Sequence, residues 1–111
     1  MTTPAVRLAG ARELREARRL IESHGLRFEA GCDDFAGIYE EERLVATGAR
    51  AGFVLKMFAV EPEHQGGPTL GALIEELMRF GRAAGEEVFW VFTRPESAGS
   101  FLPFHFRLLA T

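Results

Sequence analysis

The sequence predicts a mixed α/β fold of the α+β kind, with a mostly antiparallel central sheet, a parallel βαβ crossover and flanking helices. Two segments place apolar residues at helical spacing, and two closely spaced apolar segments separated by an acidic turn indicate an antiparallel hairpin. In the second half, the order strand, long helix, strand indicates parallel pairing. The 111 residues suit one domain with its own core, so we assign residues 1–111 to one domain.

The N-terminal part contains a predicted short strand, Val6 to Leu8, and a predicted helix, Ala11 to His24. The apolar stripe of this helix faces the core, while arginines and glutamates fill the other face. The crowded arginines indicate a solvated face with internal ion pairs or, alternatively, a patch that attracts an anionic ligand.

The next strands are predicted at Phe35 to Tyr39 and Leu44 to Arg50, joined by the turn "EEER". A third strand, Phe53 to Val60, is apolar except for Lys56, which predicts that both of its faces are covered. Lys56 itself is interpreted as an edge-facing lysine or, alternatively, as a contact to a ligand.

The second long helix is predicted at Leu70 to Ala84, and Gly85 ends it. The segment "VFWVFT", Val88 to Thr93, is predicted as a buried central strand. Its aromatic residues are expected in the core; they are Phe89, Trp90 and Phe92. A short turn or helix at Glu96 to Leu102 and a last strand at Phe106 to Ala110 complete the prediction.

Composition narrows the class of protein. The net charge of −3 argues against nucleic acid as the main partner. No apolar run reaches the length of a membrane span, and no signal peptide is recognisable at the N-terminus. Cys32, the single cysteine, excludes an internal disulfide and a multi-cysteine metal site. We therefore expect a cytoplasmic protein without a membrane segment or a metal.

The junction between the third strand and the second helix is the candidate site. The text "EPEHQGGPT" places two glycines between a buried strand and a helix N-terminus, and such an N-terminus favours a phosphate. The sequence has neither Gly-x-Gly-x-x-Gly nor Gly-Lys-Ser/Thr at this point, which excludes the dinucleotide-binding and P-loop patterns.

The same junction carries a resemblance to a known family. "AVEPEHQGG", ahead of a long amphipathic helix, resembles the Gln/Arg-x-x-Gly-x-Gly/Ala motif of the GNAT superfamily of N-acetyltransferases. "GIYEEERLVATGARAGFVLKMFAVEPEHQGG" and "VFWVFTRPESAGSFLPFHF" are similar to the acetyltransferase-like N-terminal domain of citrate lyase ligases. The resemblance covers roughly residues 25–106 and implies a GNAT-like fold.

It also implies acetyl-CoA or CoA as the ligand and assigns residues to its parts. The end of the third strand would hydrogen-bond the pantetheine arm through its backbone, the following loop and helix start would hold the pyrophosphate, and two serines would lie near the cofactor. These residues are Phe58, Ala59 and Val60 for the arm, Gln65, Gly66, Gly67, Thr69 and Leu70 for the pyrophosphate, and Ser97 and Ser100.

The sequence departs from the family pattern in several places. Pro68 stands in place of the motif's second conserved residue, a glycine, and Leu70 in place of its last small residue. Proline removes one N–H donor but suits the first turn of a helix. Phe101 occupies the position of a tyrosine that often serves as the general acid, so no catalytic residue is assigned. The chain stops where the family fold continues, which implies a C-terminally shortened form.

The resemblance implies an N-acetyltransferase that acts on a small-molecule or protein amine. Two alternatives remain open. The chain could be a non-catalytic binding or regulatory module, or a detached accessory domain of a citrate lyase ligase-like system. The apolar C-terminal edge suggests pairing of two copies into a homodimer.

Overall fold

A mixed sheet with a helix on each face forms the centre of the structure, which is a computed structural model that describes residues 4–93 together with Gly99 and Phe101. The elements are β1 (Val6–Arg7), α1 (Ala11–Ser23), β2 (Asp34–Glu40), β3 (Arg43–Ala51), β4 (Val54–Val60), a 3-10 turn (Pro62–His64), α2 (Thr69–Ala83) and β5 (Trp90–Val91).

The strands lie in the order in which they occur along the chain, β1-β2-β3-β4-β5. The first four pair antiparallel, and β4 pairs parallel with β5 through α2. This arrangement confirms the predicted fold class, including the βαβ crossover. The predicted strand at 106–110 and most of the predicted turn at 96–102 lie outside the described residues.

Helix α1 covers one face of the sheet. The Glu13 carboxylate accepts a hydrogen bond of 2.9 Å from the Gly10 amide and so closes the start of the helix. Its apolar stripe packs against β3 and β4 in one of two core clusters. The buried members from the helix are Ala17, Leu20 and Ile21.

The hairpin of β2 and β3 turns through Glu41 and Glu42, whose φ angles are 50° and 69°. Positive φ at both central residues is the geometry of a type I′ turn, which matches the twist of the flanking strands. The predicted hairpin is therefore present, although the turn uses two glutamates where asparagine and glycine are usual.

Helix α2 covers the opposite face. Leu73, Ile74 and Leu77 are almost fully buried and pack with Leu55 of β4 in the second core cluster. Since α1 packs on the other face, β4 is covered on both sides, as its apolar sequence predicts. Lys56 has the one polar side chain of this strand. It forms an ion pair of 2.8 Å with Glu29.

The prediction of a buried central strand at 88–93 is wrong. The pairing of β5 is confined to Trp90 and Val91, and Trp90 and Phe92 are 50% and 72% exposed. Phe89 and Val91 do pack on the α2 side. The alternate residues face the α1 side of the sheet, where α1 packs mainly on β3 and β4. An apolar run on both faces therefore does not prove burial on both faces.

Candidate functional site

The end of β4 has a free edge. Pairing with β5 stops where the Phe92 amide donates to the Leu55 carbonyl at 2.8 Å. From Lys56 to Val60, no described strand pairs with this edge. On the opposite edge, the Glu61 amide donates to the Val45 carbonyl. The alternation of an antiparallel ladder then points the backbone N–H and C=O of Val60 toward the free edge.

A β-bulge shapes this strand. The register shifts between Thr47 and Ala49, so that Met57 and Phe58 lie opposite the single residue Gly48. Met57 has a φ of 57°, in the left-handed region. A Cβ on Gly48 would lie 2.8 Å from the Phe58 ring, so glycine is required for this close approach. The bulge inserts one extra residue into β4, after which the pairing with β3 resumes at Ala59 and Val60.

The loop after β4 leads directly to the start of α2. Gly66 has a φ of 80°, which favours glycine, and a Cβ at this position would meet no atom of the described residues within 4 Å. Among the described residues, a Cβ on Gly67 would approach only the His64 carbonyl, at 3.9 Å. The backbone of both glycines is therefore open to a ligand.

The helix start supplies hydrogen-bond donors beside this loop. Pro68 has φ and ψ of −75° and −6°, and its carbonyl accepts from the Ala72 amide at 3.1 Å. The prediction that Pro68 is tolerated at the helix start is confirmed. Within the described part of the chain, the amides of Thr69, Leu70 and Gly71 make no hydrogen bond to another backbone group. These amides and the positive end of the helix dipole can receive an anion.

The side chain of Leu70, which replaces the small residue of the family motif, lies beneath the helix. It is half-buried and packs against the core cluster under α2, and Thr69 is 8% exposed. Both side chains turn inward, so the amides of these two residues, and not their side chains, face the loop. Leucine at this position therefore does not obstruct the approach to the loop.

Charged side chains fix the segment between β4 and the loop. Arg43 donates to Glu61 at 3.3 Å and to Glu63 at 3.0 Å, while His24 Nε2 lies 3.4 Å from Glu61 Oε1. A hydrogen bond from its own backbone N–H, followed by that from Arg43, lowers the pKa of Glu63. The hydrogen bond to Glu63 raises the pKa of Arg43. These contacts hold the 3-10 turn against the start of β3 and the end of α1.

The other predicted site residues fall in different places. Ala59 uses its backbone in the ladder to β3, since it is the partner of Thr47. Gln65 donates from its side chain to the Val60 carbonyl at 2.8 Å, a contact that the sequence did not indicate. Phe101 is 5% exposed and packs edge-to-face on Phe58, with ring centroids 5.2 Å apart. Ser97 and Ser100 lie outside the described residues.

A shallow depression of about 360 Å³ lies at the other end of β4. Its lining includes Phe53, Trp90 and two carboxylates, Glu86 and Glu87. Acidic side chains repel a pyrophosphate, so this depression is not an alternative phosphate site. Within the described residues, no three His, Cys, Asp or Glu side chains converge as metal ligands, and no helix has the length and apolarity to cross a membrane.

Comparisons of the sequence with known proteins identify one similar curated protein. No protein-family model matches the chain. The [citrate [pro-3S]-lyase] ligase of Klebsiella pneumoniae is 35% identical over 83 residues, which are 75% of this chain and 24% of the ligase. The chain thus spans about a quarter of the curated relative that it matches.

Solved structures show the fold. An aminoglycoside N-acetyltransferase, AAC(6′)-Iy, in complex with CoA superposes with a TM-score of 0.79 over 100% of this chain and 93% of its own, at 13% identity. Glucosamine-6-phosphate N-acetyltransferase from Arabidopsis thaliana superposes with a TM-score of 0.74 over 100% of this chain and 95% of its own, also at 13% identity. The chain therefore has the fold of the GNAT acetyltransferases, and its predicted similarity to citrate lyase ligases is confirmed.

Proposed function

We propose that this acetyltransferase-fold protein binds acetyl-CoA and transfers the acetyl group to an amine. The observation that carries the proposal is the junction of three features at one point: the free edge of β4, the open backbone of Gly66 and Gly67, and the unpaired amides at the start of α2. The free edge suits the amides of a pantetheine arm, and the loop and helix start suit a pyrophosphate.

In this proposal the residues have separate roles. Phe58 and Val60 bind the arm through their backbone, while Ala59 is committed to β3 and supports the strand. Gly66, Gly67, Thr69 and Leu70 hold the pyrophosphate through backbone N–H groups, and Gln65 lies between the two parts. When bound, the ligand supplies an activated thioester. The protein contributes proximity and orientation, which can account for much of the acceleration of an aminolysis reaction.

The first experiment is isothermal titration calorimetry with acetyl-CoA and CoA, accompanied by thermal unfolding. We expect saturable binding and a higher unfolding temperature. Absence of both effects at millimolar ligand would refute the proposal. Release of the CoA thiol with a panel of amines then tests the transfer reaction, with the Cys32 thiol subtracted as background.

A variant of the loop locates the site. Gly67→Ala adds a methyl group whose one neighbour in the described part of the chain is the His64 carbonyl, at 3.9 Å, so the free protein should keep its stability. Bound pyrophosphate needs the same space, and we expect the affinity for CoA to fall about tenfold or more. Gly31→Ala, with no atom within 4 Å of the new Cβ, is the matched control and should bind normally. Equal affinities for both variants would exclude this loop as the site.

Two other functions are favoured by particular observations. Phe101 is buried and has no proton to donate, which favours a non-catalytic binding or regulatory module. The match to a quarter of a ligase favours an accessory domain that works with a separate protein. Saturable CoA binding without acetylation of any amine would support the first. Activity that appears only with a co-purified partner would support the second.

The setting of the reaction is part of the same proposal. We propose a cytoplasmic protein with a small-molecule or protein amine as acceptor and without nucleic acid as a partner. The C-terminal edge, which would pair two copies, lies outside the described residues. Sedimentation at increasing concentration measures this pairing, and a single monomeric species at all concentrations would exclude it.

A further inference from the structure

The side chain of Gln65 occupies a backbone position on the free edge of β4. Its Nε2 donates to the Val60 carbonyl at 2.8 Å, although the contact itself is exposed to solvent. This carbonyl points away from β3, toward the edge where no described strand pairs. Among the described residues, Gln65 is its hydrogen-bond donor. The position that an incoming amide would take is thus already filled by an amide of the protein.

We propose that Gln65 is a placeholder: its carboxamide satisfies the Val60 carbonyl in the free protein and is displaced when the amide of a pantetheine arm binds there. The inference rests on the proposed function, because it names the contact that acyl-CoA must replace. Gln65 thereby sets the affinity for the arm, whereas the glycines and the start of α2 set the affinity for the phosphates.

The chemistry of the two donors makes the exchange possible. A pantetheine arm carries secondary amides, and a secondary amide N–H and a carboxamide N–H are donors of the same kind. The extended end of β4 presents its N–H and C=O in the spacing that an added extended chain uses. Gln65 lies five residues beyond Val60 on a solvent-exposed turn. Its side chain can rotate away without breaking a backbone hydrogen bond of β4.

The expected change in affinity follows from the competition between the Gln65 carboxamide and the pantetheine arm for the Val60 carbonyl. A ligand that must displace an internal contact binds with an affinity reduced by the fraction of molecules in which the contact is open. A neutral hydrogen bond in solvent has a modest net strength, so this reduction amounts to roughly twofold to tenfold. Removing the donor without disturbing the loop should therefore strengthen the binding of the arm by the same factor.

The experiment compares Gln65→Leu with the unaltered protein, using three probes in calorimetry. The probes are pantetheine, which has the arm alone; adenosine 3′,5′-bisphosphate, which lacks the arm; and CoA, which has both. We expect Gln65→Leu to bind pantetheine and CoA about threefold more tightly and to bind the bisphosphate unchanged. Thermal unfolding without ligand establishes that the variant is folded.

A second variant separates the donor from the shape of the side chain. Gln65→Glu keeps the length of the side chain but has no N–H to donate when ionised. We expect it to bind neutral pantetheine more tightly and the bisphosphate more weakly, since its charge repels the phosphates. In addition, the side-chain amide signal of Gln65 in the unaltered protein should shift on addition of pantetheine.

The outcomes distinguish this inference from the proposed function. If the unaltered protein binds CoA but Gln65→Leu weakens or leaves unchanged the binding of pantetheine, the placeholder is refuted and acyl-CoA binding stands. A uniform loss for all three probes would instead identify Gln65 as a residue that stabilises the loop. If the unaltered protein binds neither CoA nor pantetheine, both conclusions are refuted.

Discussion

At the scale of single residues, close contacts explain why glycine occupies two positions inside a helix and a strand. Gly81 lies in the last turn of α2, and glycine within a helix is less favourable than alanine. The structure gives the reason, because a Cβ at this position would clash with the Phe89 ring. Gly48 has the same role against Phe58. A glycine inside a strand does indicate a bulge, so the contact of Gly48 could have been suspected from the sequence.

Cys32 and Lys56 allow a test at this scale. Burial raises the pKa of the Cys32 thiol, and the charge of Lys56 partly offsets this rise. We predict that alkylation of Cys32 by iodoacetamide has its pH midpoint above that of the urea-unfolded chain. Lys56→Met should move the midpoint of the folded protein further upward, because it removes the stabilising charge. A midpoint equal to that of the unfolded chain would contradict the burial of this thiol.

The raised pKa of the Cys32 thiol determines the direction in which the free energy of unfolding changes with pH. The unfolded chain releases the thiol proton at a lower pH than the folded protein does, so the free energy of unfolding falls as the pH rises between the two pKa values. Below the pKa of the unfolded chain, the contribution of this thiol is fully present. Cys32→Ser removes the thiol titration and should reduce this alkaline loss of stability.

At the scale of elements, a buried ion pair ties the strands together at the start of β2. Arg50 of β3 donates to Asp34 of β2 at 2.6 and 2.9 Å and to the Gly52 carbonyl at 2.8 Å. Asp33 accepts from the Gly52 amide at 2.7 Å and so anchors the turn before β4. The sequence indicated strands and turns here, but it did not indicate which acidic residue pairs with which arginine.

The pair predicts a large loss of stability when one partner is removed. The side chains of Arg50 and Asp34 are 6% and 12% exposed, so Asp34→Asn leaves a buried guanidinium with only the exposed Asp33 carboxylate, at 3.9 Å. We expect the free energy of unfolding in urea to fall by about 3 kcal/mol. Glu22→Gln breaks the exposed Arg18–Glu22 pair and is the matched control, with an expected loss below about 1 kcal/mol. Equal losses in the two variants would show that the buried pair contributes no more to stability than the exposed pair.

At the scale of the whole molecule, the two ends of β4 differ. The carboxyl end combines a bulge, an open loop and a helix start, which suits an extended acyl-CoA. The other end, with β5, presents exposed apolar side chains of Phe53, Val88, Trp90 and Phe92. Hydrophobic periodicity predicted the helices, the hairpin and the crossover. It could not predict the edge of β5, because apolar residues on both faces of a strand indicate burial whether or not a layer covers both faces.

The fluorescence of Trp90, the single tryptophan of the chain, tests whether this face of β5 is exposed. It is 50% exposed and contacts Phe53 with ring centroids 6.4 Å apart. We predict emission close to that of the urea-unfolded chain and ready quenching by acrylamide. Blue-shifted emission that resists quenching at all protein concentrations would mean that β5 is covered, as the sequence alone suggested. Protection that appears only as the concentration rises would instead identify this apolar face as a contact between copies, because an exposed apolar patch favours association.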